Sequence, residues 1–150
     1  MQFEPRIANQ SDLAAIQDVV KDAYTPFISR IGQKPGPMLD DYEALIGASC
    51  VTVIEVNGVV QGILVLIPEN SAMLLDNVAV APTAQGLGLG RQLLAHAEQC
   101  AKTAGYSLIR LYTNEAMARN IDYYSLIGYV ETHRAVENGL KRVFMVKSLI

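Results

Sequence analysis

The sequence lacks the long apolar segments of membrane and secreted proteins. Its longest apolar run, Gly62–Pro68, is far shorter than the roughly 20 residues that a helix needs to span a bilayer. The N-terminus, Met1–Gln10, carries Glu4, Pro5 and Arg6 where a signal peptide has an apolar core. These absences predict a cytoplasmic protein that has no membrane partner.

Charged residues and cysteines are also scarce. Charged residues make up 18% of the 150 residues, the formal net charge is −3, and the basic residues form no block. Because a nucleic-acid surface needs a concentrated basic stripe, we expect no nucleic-acid partner. Cys50 and Cys100 show neither CxxC nor Cys/His spacing, so we expect two reduced, largely buried thiols and no bound metal.

What the chain does contain is apolar sequence for one core. Hydrophobic residues make up 51% of the chain, and the length suits a single domain over residues 1–150. Periodicity predicts strands over Phe3–Ala8, Val51–Val56, Val59–Ile67, Met73–Val80, Ser107–Tyr112, Tyr129–Val136 and Arg142–Lys147. Helices are predicted from an N-cap at Ser11–Asp12 to about Tyr24, from Asp40–Asp41 to Ile46, from Leu87 or Gly88 to Ala104, and over Glu115–Leu126.

This order, β-α-α-β-β-β-α-β-α-β-β, predicts an α/β domain with one mixed, twisted sheet of about six or seven strands and about four helices. Asn57-Gly58 predicts a tight hairpin within an antiparallel meander, and Glu137–Gly139 predicts another. The β-α-β unit over Met73–Tyr112 predicts two parallel strands.

Three alternating glycines separate a predicted strand from a predicted helix. Gly86, Gly88 and Gly90 leave room for a ligand beside the unpaired N–H groups of a helix start, where phosphate binds. The chain has no Gly-Lys pair for a P-loop, and the spacing is not the Gly-x-Gly-x-x-Gly of dinucleotide folds. The loop therefore predicts a phosphate-containing ligand other than the common nucleotides.

Two motifs narrow this ligand to coenzyme A. Gln85–Gly90 fits the pattern Gln/Arg-x-x-Gly-x-Gly/Ala, and Asn120–Tyr129 fits Asn-x-x-x-Tyr-x-x-x-Gly-Phe/Tyr. Together they resemble the GCN5-related N-acetyltransferase (GNAT) superfamily, in particular its small single-domain members of bacterial type. The resemblance extends over essentially the whole chain and is most specific over Leu74–Val130. It implies a GNAT-like fold and acetyl transfer from acetyl-CoA to a primary amine of a small molecule or peptide.

The resemblance also implies which residues hold the donor. The strand around Val78 and Val80 would pair with the pantetheine arm, and the loop amides would hold the pyrophosphate. Asn120 and Tyr123 would line the pantetheine and thiol end. The expected donor-binding residues are Val78, Ala79, Val80, Gln85, Gly86, Leu87, Gly88, Leu89, Gly90, Arg91, Asn114, Asn120 and Tyr123.

Two residues are candidates for catalysis. Tyr124 occupies the tyrosine position of the second motif and would donate a proton to the leaving thiolate, although its helical spacing also suits core packing. Asp76 interrupts an apolar strand on the face expected for Leu74 and Val78, which makes it either a general base or a hydrogen-bonded structural acid. Asn77 is expected to be structural.

The acceptor site is expected in the irregular segment Ile28–Met38 and the residues before it. Tyr24, Phe27, Arg30 and Met38 would wall this site, although the segment also suits packing or a dimer contact. Exposed strand ends and the apolar segment Phe144–Ile150 favour a homodimer. Two other functions remain open: a non-catalytic CoA-binding module acting as a sensor or partner subunit, and a nucleotide binder that the missing lysine disfavours.

Overall fold

The computed structural model describes residues 3–150, and residues 1–2 lie outside the described part. The strands are β1 (Arg6–Ile7), β2 (Val51–Val56), β3 (Val59–Pro68), β4 (Met73–Val80), β5 (Leu108–Asn114), β6 (Val130–Glu137) and β7 (Leu140–Ser148). The helices are α1 (Leu13–Tyr24), α2 (Ile28–Ile31), α3 (Tyr42–Gly47), α4 (Leu89–Thr103) and α5 (Ala118–Leu126). The element order is the predicted one, with the single turn α2 added.

All the described strands form one sheet in the order β1-β2-β3-β4-β5-β7-β6. Strands β4 and β5 are parallel, and every other neighbouring pair is antiparallel. The predicted meander, parallel unit and mixed sheet are therefore confirmed. Both predicted Asn-Gly turns are present, since Asn57 and Asn138 adopt positive φ together with the glycines that follow them.

Helices cover both faces of this sheet because alternate strand residues are apolar on each side. One core packs α1 and α3 against the sheet through Ile16, Tyr42, Val53, Ile63 and Val65. The other core packs α4 and α5 through Leu64, Leu75, Leu93, Ile109, Leu111 and Tyr124. The central strands are thus buried on both faces, as in other sheets that helices cover.

The N-terminal prediction was wrong in two details. The first strand is limited to Arg6–Ile7. The N-cap position of α1 is Asp12, within the predicted pair, but its side chain does not cap this helix. The side-chain cap lies one turn earlier: Asn9 accepts a hydrogen bond from the Ser11 N–H, and the Asp12 carboxylate accepts one from the Asn9 N–H. Arg6 forms an ion pair of 2.9 Å with Asp12, which explains why this buried carboxylate serves the start of the turn instead of capping α1.

Helix α5 begins later than predicted. The Oδ1 atom of Asn114 accepts a hydrogen bond of 2.9 Å from the Ala116 N–H, which forms a turn instead of a helix after β5. Met117 then has a non-helical ψ of 57°, and α5 starts at Ala118. Asn114 therefore shapes the entry to α5, a local role that the sequence analysis did not assign to it.

Candidate active site

Strands β4 and β5 separate after a short region of pairing. Their paired positions end at Leu75 opposite Leu111. Beyond that point β4 stays paired with β3 as far as Val80, and β5 stays paired with β7 as far as Asn114. The edge of β4 from residue 76 to residue 80 therefore faces an opening in the sheet, where no other strand pairs with it and an extended chain can be added. Two of its carbonyls accept side-chain hydrogen bonds, Val78 from Tyr24 over 3.3 Å and Val80 from Gln85 over 3.4 Å.

A β-bulge lies where the strands separate. Leu66 pairs with Leu75 and Val65 pairs with Asn77, which leaves Asp76 as the extra residue of β4. The bulge reverses the alternation of side chains, so the expectation that Asp76 shares a face with Leu74 and Val78 was wrong. Val78 packs on the α4 side, whereas Ile67, the partner of Leu74, packs on the α1 side. Asp76 lies at this reversal, beside the opening.

The glycine loop has the backbone that a phosphate site requires. Gly86 and Gly88 have φ of 90° and 82°, a left-handed conformation that side chains disfavour. Helix α4 begins immediately afterwards without a side-chain cap, so the N–H groups of Leu89, Gly90 and Arg91 have no intrahelical acceptor. These donors, the helix dipole and the Arg91 cation suit a pyrophosphate. The loop residues from Gln85 to Arg91 line one continuous surface pocket with Val80 and Tyr123.

A larger cleft joins this loop to the opening between β4 and β5; we call it the outer cleft. Of the expected donor-binding residues, it is lined by Val78, Ala79, Val80, Gln85, Gly90, Arg91, Asn120 and Tyr123. Arg30 and Arg91 supply two cations to this cleft, and Arg119 supplies a third. The sequence analysis missed Arg119. Arg119 directly precedes the motif residue Asn120, and this position was the one sequence signal that could have identified it as a cleft residue.

Three of the four expected acceptor residues line this same outer cleft. Tyr24, Phe27 and Arg30 face it from α1, the following turn and α2, and the Arg30 guanidinium lies 5.4 Å from the centre of the Phe27 ring. Met38 instead packs against the α1-side core. Phe27 and Arg30 thus lie on the same side of the opening as the glycine loop.

Tyr24 is held by a buried hydrogen-bond network. Its hydroxyl donates to Oδ1 of Asn77 and lies 3.3 Å from the Val78 carbonyl oxygen. The Asn77 amide donates to the Tyr42 hydroxyl over 3.1 Å, and that hydroxyl donates to the Pro37 carbonyl. The network ties α1, α3 and the segment before α3 to β4, which agrees with the structural role expected for Asn77.

Tyr124 is the buried tyrosine of α5. Its side chain is 8% exposed, its hydroxyl forms no hydrogen bond with any residue in 3–150, and its ring meets the Tyr129 ring edge-on at 5.8 Å. Tyr124 lines the outer cleft and also a smaller inner cavity between β4 and β5. Burial raises the pKa of Tyr124 to about 12, so the phenol stays protonated and able to donate near neutral pH.

The inner cavity extends from Tyr124 to Asp76. The Tyr112 hydroxyl donates a hydrogen bond of 2.9 Å to Oδ1 of Asp76, and the Arg142 guanidinium lies 4.4 Å from the centre of the Tyr112 ring. All these side chains line the inner cavity. It therefore brings together the two predicted catalytic residues, Tyr124 and Asp76, although they belong to different elements.

A second surface pocket opens on the Asp76 end of the inner cavity; we call it the side pocket. Asp40, Asp76, Tyr112, Leu140 and Arg142 line it, beneath the segment of residues 33–39. Burial and the neighbouring Asp76 carboxylate raise the pKa of Asp40 to about 6. The sequence analysis missed Asp40, Tyr112 and Arg142. The signal for Tyr112 was its place at the end of the strand predicted to lie parallel to β4.

The chain was compared with known proteins. The model of the Acetyltransferase (GNAT) family matches residues 14–129. The chain belongs to this family. Membership confirms the resemblance found in the sequence, the enzyme class and acetyl-CoA as the acyl donor. None of the curated proteins compared with the chain by sequence is significantly similar.

Solved structures of other GNAT proteins share the fold. YncA of Salmonella typhimurium, solved with acetyl-CoA, is 23% identical with a TM-score of 0.73 over 100% of this chain and 95% of that one. The PaiA N-acetyltransferase of Thermoplasma acidophilum, solved with coenzyme A, is 17% identical with a TM-score of 0.78 over 99% of each chain. A GNAT acetyltransferase of Staphylococcus aureus is 18% identical with a TM-score of 0.78 over 99% and 100%.

Two further expectations concern features outside the site. None of the helices within residues 3–150 is long and apolar enough to cross a membrane. Cys50 and Cys100 are free thiols, as expected, but each is half-buried instead of largely buried. The Cys100 sulfur lies 3.3 Å from Nε2 of His96 on the same helix.

Proposed function

We propose that this protein transfers an acetyl group from acetyl-CoA to a primary amine by direct attack, with the amine and the donor meeting in the inner cavity. The observation that carries this proposal is that Tyr124 and Asp76 line the same cavity at the point where β4 and β5 separate. A proton donor and a proton acceptor are the two groups that acetyl transfer to an amine requires.

The outer cleft is the proposed donor site. The N–H groups at the start of α4 and the Arg91 side chain bind the pyrophosphate, and the free edge of β4 from Val78 to Val80 binds the pantetheine amides. Asn120 and Tyr123 flank the thiol end. Because Tyr24 occupies the Val78 carbonyl at 3.3 Å, it also limits how far an added strand extends along β4.

Bound acetyl-CoA supplies an acetyl group activated as a thioester. An alkylamine has a pKa of about 10.4 and arrives protonated, so Asp76 accepts the proton that the nitrogen must lose before it attacks. As the new carbon–nitrogen bond forms and the carbon–sulfur bond breaks, Tyr124 donates its hydroxyl proton to the sulfur. The second proton that the nitrogen loses in becoming an amide returns through water to the Tyr124 phenolate. The unpartnered hydroxyl and raised pKa of Tyr124 support this role.

A panel of amines tests the proposed function. The purified protein is mixed with acetyl-CoA and each amine, free thiol is measured, and the product is identified by mass spectrometry. We expect thiol release that depends on the amine and an N-acetylated product. Binding of acetyl-CoA in calorimetry without amine-dependent thiol release would instead favour the alternative, a non-catalytic CoA-binding module.

The expected homodimer stays a prediction. The segment Phe144–Ile150 was expected to favour a dimer, but most of it belongs to β7, which lies between β5 and β6 in the sheet. It therefore gives the dimer little support. The apolar side chains with the largest exposed fractions near β6 are Leu126, Val130 and Val136. Sedimentation equilibrium of the protein as a function of concentration decides whether the protein forms a dimer.

A further inference from the structure

The side pocket is a second way into the inner cavity. The inner cavity shares Tyr24, Val78 and Tyr124 with the outer cleft, and it shares Asp76, Tyr112 and Arg142 with the side pocket. A donor in the outer cleft leaves the side pocket open. An acceptor that enters through the side pocket therefore reaches Asp76 first and Tyr124 last.

The charge in the side pocket is negative at the reacting end. Asp76 and Asp40 lie side by side, close enough for burial and mutual repulsion to hold a proton on Asp40 at a higher pH than usual. The neutral Tyr112 hydroxyl provides one hydrogen bond to Asp76. An ammonium group neutralises this pair of carboxylates and gives each a hydrogen-bond donor.

The one cation that lines the side pocket is already paired within the described part of the chain. Arg142 forms an ion pair of 3.0 Å with Glu137 and lies over the Tyr112 ring. Its side chain is 18% exposed, so its position is fixed by these two contacts. Because Glu137 already pairs with Nη1 of Arg142, a carboxylate on the acceptor would meet a largely neutralised cation and would also lie near the Asp40 and Asp76 charges.

A second observation points to a ligand in the same space. Tyr124 is more than nine-tenths buried, lines the inner cavity, and forms no hydrogen bond with residues 3–150. Among residues 3–150, Tyr129 Oη is buried without a partner, whereas Tyr124 Oη is not enclosed in this way. The Tyr124 hydroxyl therefore opens to the inner cavity, where a bound molecule can form its hydrogen bond.

From this geometry we propose that the acceptor is a primary alkylamine that carries no carboxylate on the carbon next to the nitrogen, such as an aliphatic, arylalkyl or di-amine. It enters through the side pocket, and Asp40 and Asp76 bind its ammonium group. The apolar side chains of Pro37, Leu39 and Leu140 contact its hydrocarbon chain. This inference rests on the proposed acetyl transfer and adds the class of substrate.

Matched pairs of acceptors test the class. Tyramine is compared with tyrosine, and isoamylamine with leucine. We expect kcat/KM to be at least about tenfold higher for each amine than for its amino acid, which corresponds to about 1.4 kcal/mol. Equal or higher kcat/KM for the amino acids overturns the inference while leaving acetyl transfer intact. Thiol release with none of the acceptors overturns the proposed function and this inference together.

Two variants connect the preference to the side pocket. Asp40→Asn is expected to raise KM for tyramine about tenfold and to leave the Kd of acetyl-CoA unchanged. Glu137→Gln releases Arg142 and is expected to narrow the ratio between tyramine and tyrosine. Calorimetry of tyramine with the protein–CoA complex provides a readout other than turnover. Unchanged tyramine affinity in Asp40→Asn, in a variant that still binds CoA, contradicts the assignment.

Discussion

The Tyr112 hydroxyl donates a hydrogen bond of 2.9 Å to the Asp76 carboxylate across the point where the parallel strands β4 and β5 stop pairing. This bond holds one carboxylate oxygen and leaves the other for the acceptor. Asp76 can take this position because it is the extra residue of a bulge, so it has no cross-strand partner on β3.

The first prediction concerns Asp76 as the proton acceptor. Asp76→Asn keeps the size of the side chain and its bond to Tyr112 but removes the basic oxygen, so kcat/KM for the amine should fall about 100-fold. The Kd of acetyl-CoA, measured by calorimetry, should not change. Asp122→Asn is the matched control, because Asp122 is an exposed carboxylate on α5 and its loss removes the same charge. A similar fall of kcat/KM in both variants would mean that the loss of activity comes from the change in overall charge and not from the loss of a base at Asp76.

The second prediction concerns the glycine loop. Gly88→Ala introduces a side chain at a φ of 82° beside the proposed pyrophosphate, and the Kd of acetyl-CoA should rise at least about tenfold. Gly105→Ala places the same change at a φ of 91° at the other end of α4, also with no atom within 4 Å. Both variants should lose about 1 kcal/mol of stability. Equal acetyl-CoA affinity in the two variants would refute the phosphate site.

The third prediction concerns the pH dependence of stability. Burial and Asp76 raise the pKa of Asp40 to about 6 in the folded protein, whereas an unfolded aspartate titrates near about 3.9. Ionised Asp40 therefore destabilises the folded protein. This destabilisation is absent below the pKa of the unfolded state and complete above the pKa of the folded state. Asp40→Asn removes this penalty, so its Tm relative to the parent should rise between about pH 4 and pH 7. A Tm difference that is constant over this range would contradict the proximity of the two carboxylates.

The fourth prediction concerns the network around Asn77. Asn77 is 3% exposed, accepts from Tyr24 and donates to Tyr42. Asn77→Ala leaves both tyrosine hydroxyls short of a partner and should lower the free energy of unfolding by about 2 kcal/mol in urea denaturation. Gln99→Ala removes an amide from an exposed hydrogen bond to Thr103 and should cost no more than about 0.5 kcal/mol. Equal losses would mean that the buried network is not important for stability.

The parts of the fold that depend on local sequence were predictable. Both Asn-Gly turns, the proline that ends α1 and the glycine loop before α4 are determined by backbone preferences of a few neighbouring residues. The order of elements and the parallel unit followed from these boundaries. The two motifs singled out Tyr124 and the loop residues, of which Gln85, Gly90 and Arg91 line the outer cleft together with Tyr124.

The parts that depend on long-range pairing were not predictable. The bulge at Asp76 exists only because Leu66 and Val65 of β3 pair on either side of it, and simple alternation placed Asp76 on the wrong face. The side pocket joins Asp40, Asp76 and Arg142, which are far apart in the sequence and meet only in the folded sheet. Tyr112 follows Leu111, the last residue of β5 that pairs with β4, so the register of the parallel pair places it beside Asp76.

The role of Tyr124 as proton donor is the central claim, and a pair of phenylalanine variants tests it most directly. Tyr124→Phe removes the hydroxyl that faces the inner cavity. Tyr129→Phe is the matched control, because the Tyr129 ring packs against the Tyr124 ring and its buried hydroxyl has no partner in residues 3–150. We predict that Tyr124→Phe lowers kcat for amine acetylation at least about tenfold with an unchanged Kd for acetyl-CoA, and that Tyr129→Phe keeps kcat. Parental kcat in Tyr124→Phe, or an equal fall in both variants, would contradict the account.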